Sequence, residues 1–167
     1  MTRADSLVLV RVRPNDALAR TVLSELAIEY SHRYGGTSCN WFSKLTKQSV
    51  DRDGSFLVVV AEGVAVAGGT YRPVDEQTVE LKRIWTASKF RRQGLARRVL
   101  ADLEADIAGH GYRRVVLTTG PRQPEAHSLY RAAGYRPLYD TGRDADEIGL
   151  HRFEKDIAAG CSLAASA

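Results

Sequence analysis

Apolar and polar residues alternate from Ser6 to Pro14 in SLVLVRVRP, the two-residue period of a β-strand, and the run stops at a proline. Asn15 or Asp16 can then cap a helix that carries Leu18, Val22, Leu26 and Tyr30 on one face and ends at Gly35-Gly36. Residues 37–54 follow neither period and read as irregular or short-helical. From Ser55 the signals sharpen. SFLVVVAEGVAVAGGTYRPV holds two β-branched apolar runs around Glu62-Gly63, the signature of a hairpin, and Thr78 to Thr86 is a third such run. Leu95, Val99, Leu103 and Ile107 recur at four-residue steps, joined by Ala96 and Leu100, which predicts an amphipathic helix ending near Gly109. Arg113 to Thr119 reads as a short buried strand. Pro124 opens a second short helix that stops at Gly134. YRPLYD (Tyr135 to Asp140) and LHRFEKD (Leu150 to Asp156) read as two final strands. With no internal repeat or linker, residues 1–157 are expected to form one mixed α/β (α+β) domain, and residues 158–167 a small, polar, disordered tail.

Composition changes this picture little. The 167 residues are 44% hydrophobic and 26% charged, ordinary for a globular chain and large enough to bury a core without staples. A net charge of +4 suits an anionic ligand but does not demand nucleic acid. No run of apolar residues is long enough for a membrane span, and Arg11 cuts the N-terminal apolar run too short for a signal peptide. Cys39 and Cys161 have no partners at metal-ligand spacing, so no metal is expected and a reducing cytoplasm is.

One stretch raises a chemical question. KFRRQGLARRVL, Lys89 to Leu100, sets a lone glycine among Lys89, Arg91, Arg92, Arg97 and Arg98, with no acidic residue between Leu81 and Ala101. A strand stopping near Thr86 and a helix starting near Leu95 would leave unpaired N–H groups and the positive end of a helix dipole pointing at the loop. Gly94, lacking a Cβ, allows close backbone approach. The pattern suits a phosphate or pyrophosphate. A solvated basic surface is the bland alternative. A Walker loop is excluded because the chain has no Gly-Lys dipeptide, and no G-x-G-x-x-G follows a strand.

The order of motifs bears on that choice. RRQGLA, Arg91 to Ala96, resembles the [QR]-x-x-G-x-[GA] pyrophosphate loop of the GNAT superfamily of N-acetyltransferases. VELKRIWT resembles that family's fourth strand, RRVVLTT its fifth, and QPEAHSLYRAAGYRPL (Gln123 to Leu138) its N-x-x-A-x-x-L-Y-x-x-x-G-[FY] segment. The resemblance runs from about Ser55 to Leu138. It implies a central mixed, largely antiparallel sheet of about six to seven strands, flanked by helices and splayed between the fourth and fifth strands.

The same resemblance implies acetyl-CoA as co-substrate and a primary amine as acceptor, on a small molecule or a protein, acetylated by direct attack in a ternary complex. Neither nucleic acid nor membrane is expected as a partner, and a homodimer is frequent in the family. The backbone of Ile84, Trp85 and Thr86 would hold the pantetheine arm. Amides of Arg91, Arg92, Gln93, Gly94, Leu95 and Ala96, with Arg97, would hold the pyrophosphate. Tyr130 would be the general acid that protonates the departing thiolate, because a phenol of pKa about 10 is protonated at neutral pH; it could instead be an amphipathic core residue beside Leu129 and Tyr135. Glu80 would be the base that relieves the acceptor of its proton, directly or through a water chain, or else a salt-bridge partner of Lys82 or Arg83. Gln123 stands where the pattern has Asn bonding the cofactor arm. His127 reads as a surface residue and Ser128 lacks a triad. Trp41 and Phe42 read as lid or core. The acidic DTGRDADE, Asp140 to Glu147, is either an attractor for a cationic amine or a solvated loop. The non-enzymatic alternative is a catalytically silent CoA-binding sensor or interaction domain of the same fold.

Overall fold

The computed structural model describes residues 6–47 and 56–158. A seven-stranded sheet runs in the order β1-β2-β3-β4-β5-β7-β6. Its strands are β1 (Val8–Val12), β2 (Phe56–Ala61), β3 (Val64–Pro73), β4 (Thr78–Thr86), β5 (Arg114–Thr119), β6 (Arg136–Pro137) and β7 (His151–Asp156). Every neighbouring pair is antiparallel except β4 and β5. Parallel neighbours need a crossover, and the helix α3 (Leu95–Gly109) supplies it. This is the mixed, largely antiparallel sheet that the motifs imply. The expected tail from residue 159 onward, and the Ser55 start of the motif region, lie outside the described residues.

The hairpin expected around Glu62-Gly63 forms between β2 and β3. Both turn residues take positive φ, 48° and 80°, as a primed two-residue turn requires. β2 reads as one apolar run because both of its faces are covered. Phe56 and Val58 pack with Ala19, Val22, Leu23 and Leu26 of α1 (Ala17–Tyr34), while Leu57 and Val59 pack with Leu95, Val99, Leu103 and Ile107 of α3. The four α3 residues picked out by their four-residue spacing are 0–5% exposed. Residues 37–47 contain a helix that the apolar pattern does not mark, α2 (Ser38–Lys47), and it buries only Leu45. The final strand expected over Tyr135–Asp140 shrinks to the two residues of β6, and the acidic segment contains the single turn α5 (Ala145–Ile148).

Close packing demands one glycine in the middle of the sheet. A Cβ on Gly69 of β3 would lie 2.5 Å from Ile84 Cδ1 and 3.0 Å from Leu103 Cδ1. Gly69→Ala is therefore expected to overpack the β3–α3 contact and cost about 1–3 kcal/mol. A urea midpoint that falls with an unchanged slope would register that loss.

β4 is the irregular strand of the sheet. Its register against β3 shifts between Gly68 and Thr70, where Arg83 adopts φ 58°. A non-glycine residue in the left-handed region marks a built-in bulge. Lys82 and Arg83, adjacent in sequence, both reach a cavity beside β4; Ile84 lines it too and packs against the α3 side, and Trp85 packs against α1. Arg83 is only 8% exposed, and its Nη2 donates to the Leu45 carbonyl at 2.6 Å, tying α2 to the sheet. Among the described residues no helix is long and apolar enough to cross a membrane.

Candidate active site

β4 and β5 pair only from Thr78↔Arg114 to Leu81↔Leu117. Beyond Leu81 the two strands part: β4 continues to Thr86 along β3, and β5 continues to Thr119 along β7. The splay expected from the motifs is present, and a cavity of about 640 Å³ opens in it.

The alternation of backbone groups along β4 follows from one hydrogen bond. Ala87 N–H donates to Val66 O at 2.8 Å, so Trp85, two residues earlier, also faces β3, and Thr86 turns its amide and carbonyl toward the gap. Of the three residues expected to hold an extended arm by backbone, Thr86 offers its amide to the gap while its carbonyl accepts from Arg91 Nε at 3.1 Å, Trp85 is committed to β3, and Ile84 follows the bulge.

At the far end of the gap the loop Arg91–Gly94 leads into α3. Arg92 (φ 58°) and Gly94 (φ 80°) are both left-handed, a backbone shape that gathers N–H groups into a concave nest. The helical ladder begins with Arg98 N–H donating to Gly94 O at 3.0 Å, and no side chain caps the helix. The amides of Leu95, Ala96 and Arg97 are thus left by helix geometry to point out of its end. A Cβ built on Gly94 meets nothing within 4 Å. The basic side chains divide by role. Arg91 braces the loop, with Nε donating to Thr86 O at 3.1 Å and Nη2 paired with Glu29 at 3.0 Å. Arg98 turns back toward Asp102 (3.7 Å) and Leu7 O (3.4 Å). Arg92 and Arg97 are exposed and make no ion pair among the described residues. Gln93 donates to Lys89 O at 3.0 Å.

Tyr130, on α4 (Pro124–Ala132), lines the cavity and is 7% exposed. Its ring packs edge-on against Tyr135 with centroids 5.7 Å apart and lies 5.7 Å from Phe153. Burial, reinforced by the nearby Tyr30, pushes the phenol well above its ordinary pKa, so Tyr130 keeps its proton across the neutral range. Tyr130 is thus a core tyrosine that also lines the cavity.

Glu80 also lines the cavity, held by its cross-strand neighbour Arg72, whose Nη2 and Nε lie 2.8 and 2.9 Å from Oε2. Lys82 Nζ is 3.6 Å from the other oxygen. The salt-bridge partners of Glu80 are thus Arg72 and Lys82. Burial holds the Lys82 ammonium below its ordinary pKa, partly offset by Glu80.

Gln123 caps the start of α4 and its Nε2 donates to Tyr34 Oη at 3.2 Å. The amide that stands in the cofactor-arm position therefore spans to α1. Behind it, a Cβ on Gly120 would overlap the Tyr34 hydroxyl. His127 Nε2–H donates to the Gly120 carbonyl at 3.1 Å, and its ring stacks 4.3 Å from His151, so it supports the β5–α4 loop rather than sitting exposed.

Several cavity residues carry no sequence signal of their own. Tyr30, Tyr34 and Trp41 form an aromatic triangle with centroids 5.4–6.2 Å apart. Tyr30 and Tyr34 stand four apart at the end of α1, a spacing that could have flagged them, yet only Tyr30 belonged to the helix's apolar pattern. Trp41 and Phe42 both pack against the α1 cluster, Phe42 under Arg20, and of the two only Trp41 also lines the cavity. The lid-or-core alternative is resolved differently for each. Of the acidic segment only Asp146 lines the cavity; Asp140 accepts from Gly142 N, Asp144 caps α5, and Glu147 faces Arg143. Cys39 is exposed on α2 and does not line the cavity.

Comparison with known proteins bears on this arrangement. The family model described as "Acetyltransferase (GNAT) family" matches residues 18–135. Human N-acetyltransferase 8 is 32% identical over 106 residues, which cover 60% of this chain and 47% of that protein. The chain thus spans about half the length of the curated relatives it matches first. Two solved structures share the fold over nearly their whole length. An acetyltransferase from Streptococcus agalactiae superposes with a TM-score of 0.70 at 17% identity, over 90% of this chain and 98% of that one. A GNAT family acetyltransferase from Elizabethkingia anophelis with acetyl-CoA bound gives 0.67, also at 17%, over 92% and 99%.

Proposed function

The chain belongs to the acetyltransferase (GNAT) family, and on that premise we propose that it moves an acetyl group from acetyl-CoA to a primary amine by direct attack in a ternary complex. The observation that carries this reading is the parting of β4 and β5 beyond Leu81, which opens a cavity lined by Tyr130, while β4 leads through a short loop into the uncapped start of α3.

The chemistry asks little of the protein beyond position and polarity. The amides of Leu95, Ala96 and Arg97, the nest at Arg92–Gly94 and the guanidiniums of Arg92 and Arg97 would hold the diphosphate. The Thr86 backbone would pair with the amide-bearing arm as an added strand does. The acceptor nitrogen attacks the thioester carbonyl carbon, a C–N bond forms and the C–S bond breaks. The departing sulfur takes the Tyr130 proton. The acceptor's proton leaves toward Glu80, through water, because Arg72 and Lys82 already occupy its oxygens.

That last assignment has its own test. Glu80→Gln should lower kcat by roughly 10²- to 10⁴-fold in a folded protein; an unaltered rate would remove Glu80 from the proton path. The transferase reading as a whole is tested by following thiol release from acetyl-CoA across a panel of amines, peptides and aminoglycosides. One acetylated amine per CoA released is expected. Tight binding of acetyl-CoA with no turnover of any acceptor would favour the silent sensor instead.

A further inference from the structure

The acceptor half of the cavity has a definite electrostatic character, opposite to what the acidic Asp140–Glu147 segment suggests. Lys82 from the bulged strand and Lys44 from α2 reach this wall, with Arg122 on the far side and Arg83 held to the Leu45 carbonyl beneath α2. Among the described residues two carboxylates line the same cavity. Glu80 is already bound twice by Arg72, so its charge is largely compensated within the sheet. Asp146 sits at the exposed rim. Between them stand the rings of Tyr30, Tyr34 and Trp41, with Lys44 Nζ 4.7 Å over the Trp41 ring. A polyamine or aminoglycoside entering here would bring positive charge against Lys44 and Lys82. Such like-charge contact is costly.

Resting on the transferase reading, we propose that the acceptor is a small amine carrying its own carboxylate and a flat or apolar side chain, the chemistry of a free apolar α-amino acid. Lys82 takes the carboxylate, Lys44 adds to the field, and the aromatic triangle takes the side chain. Lys82 suits this role by position. It projects from β4 immediately before the bulge, its ammonium is half-withdrawn from water, and Glu80 lies at a long 3.6 Å. A carboxylate from the ligand would give that ammonium the close, charge-assisted partner its burial favours. The amine of the same molecule, one carbon away, then lies on the Glu80 side of the cavity, where the proposed proton path begins. Asp146 at the rim completes the complement to a zwitterion. Lys82 is thus a specificity-determining residue.

The test compares matched amines on the full-length chain, with rates expressed per unprotonated amine. Phenylalanine and phenethylamine share a ring and an amine and differ only in the carboxylate; spermidine supplies the cationic class. For the wild type, kcat/KM for phenylalanine should exceed that for phenethylamine by about 10- to 100-fold, the range of a charge-assisted hydrogen bond. In Lys82→Met that ratio should fall to within about threefold, and in Lys44→Met it should fall part of the way; thermal melting shows whether each variant is folded. Phenethylamine or spermidine equalling or surpassing phenylalanine with the wild type would overturn the proposal and leave the transferase reading intact. A phenylalanine preference that survives unchanged in a folded Lys82→Met would overturn the role of Lys82. Binding of acetyl-CoA without turnover of any amine would overturn the transferase reading, and this inference with it.

Discussion

Replacing Tyr130 by Phe should lower kcat by roughly 10²- to 10⁴-fold, the range of a lost proton transfer. The effect should fall on turnover rather than on folding. The ring keeps its contacts with Tyr135 and Phe153, so only the hydroxyl is removed from a site that is 7% exposed. Burial raises the pKa of this phenol, and the sign of the consequence is fixed. The protonated, donating form persists below the ordinary tyrosine value of about 10 and is lost only at still higher pH. The wild-type rate should therefore show no alkaline limb from Tyr130 below pH 10. The same logic extends to stability. Tyr71 and Tyr135 are also pushed upward, first by burial and then by Asp106 and Glu104 respectively. Their stabilising effect is full below about pH 10 and erodes as rising pH begins to ionise them. Two measurements decide the matter: single-turnover thiol release and far-UV melting of the Tyr130→Phe variant. A loss of less than tenfold in a folded protein would leave Tyr130 as a core residue only.

How far the molecule could be read in advance depended on which residues announce themselves. The α3 stripe, the Glu62-Gly63 turn and the strand–helix–strand order over Thr78 to Thr119 each follow from local periodicity or turn chemistry, and the structure reproduces all of them. The gap beside Thr86 was reachable because ordered motifs stood in for geometry. What stayed hidden was set by tertiary contacts. Arg83 looks like one more strand charge until its positive φ turns it beneath α2 onto the Leu45 carbonyl. Trp41 and Phe42 are adjacent aromatics on a helix with a single buried residue, and although both pack against the α1 cluster, only Trp41 also reaches the cavity. His127 carries no local mark that it will stack on a histidine 24 positions later. The acidic segment misleads most. Most of its carboxylates are spent on local turns, a cap and Arg143, and only Asp146 reaches the cavity, at an exposed position, beside Lys44 and Lys82.

The strongest binding effect is expected at Gly94, and it separates a backbone cradle from a patch of charge. Gly94→Leu should weaken acetyl-CoA binding by about 100-fold or more, since two or three amide hydrogen bonds at about 1 kcal/mol each depend on the loop's shape and vacancy. The cause is not a clash within the protein, because a Cβ at this position meets nothing within 4 Å. It is twofold. A φ of 80° costs an L-residue about 1–2 kcal/mol, and any side chain built there fills open space beside the loop proposed to hold the diphosphate. Gly94→Asn divides those causes, since Asn tolerates the left-handed region yet still fills the space. If Asn binds as poorly as Leu, the vacancy matters more than the dihedral. Arg98→Ala provides the contrast. Its guanidinium faces Asp102 and the Leu7 carbonyl, away from the helix end, so its loss removes only a screened, distant charge and should change affinity by less than about threefold. Titration calorimetry with acetyl-CoA at two salt concentrations measures both. Equal losses in Gly94→Leu and Arg98→Ala, each vanishing at high salt, would mean that net positive charge holds the ligand, and the reading of Arg91–Ala96 as a backbone cradle would fail.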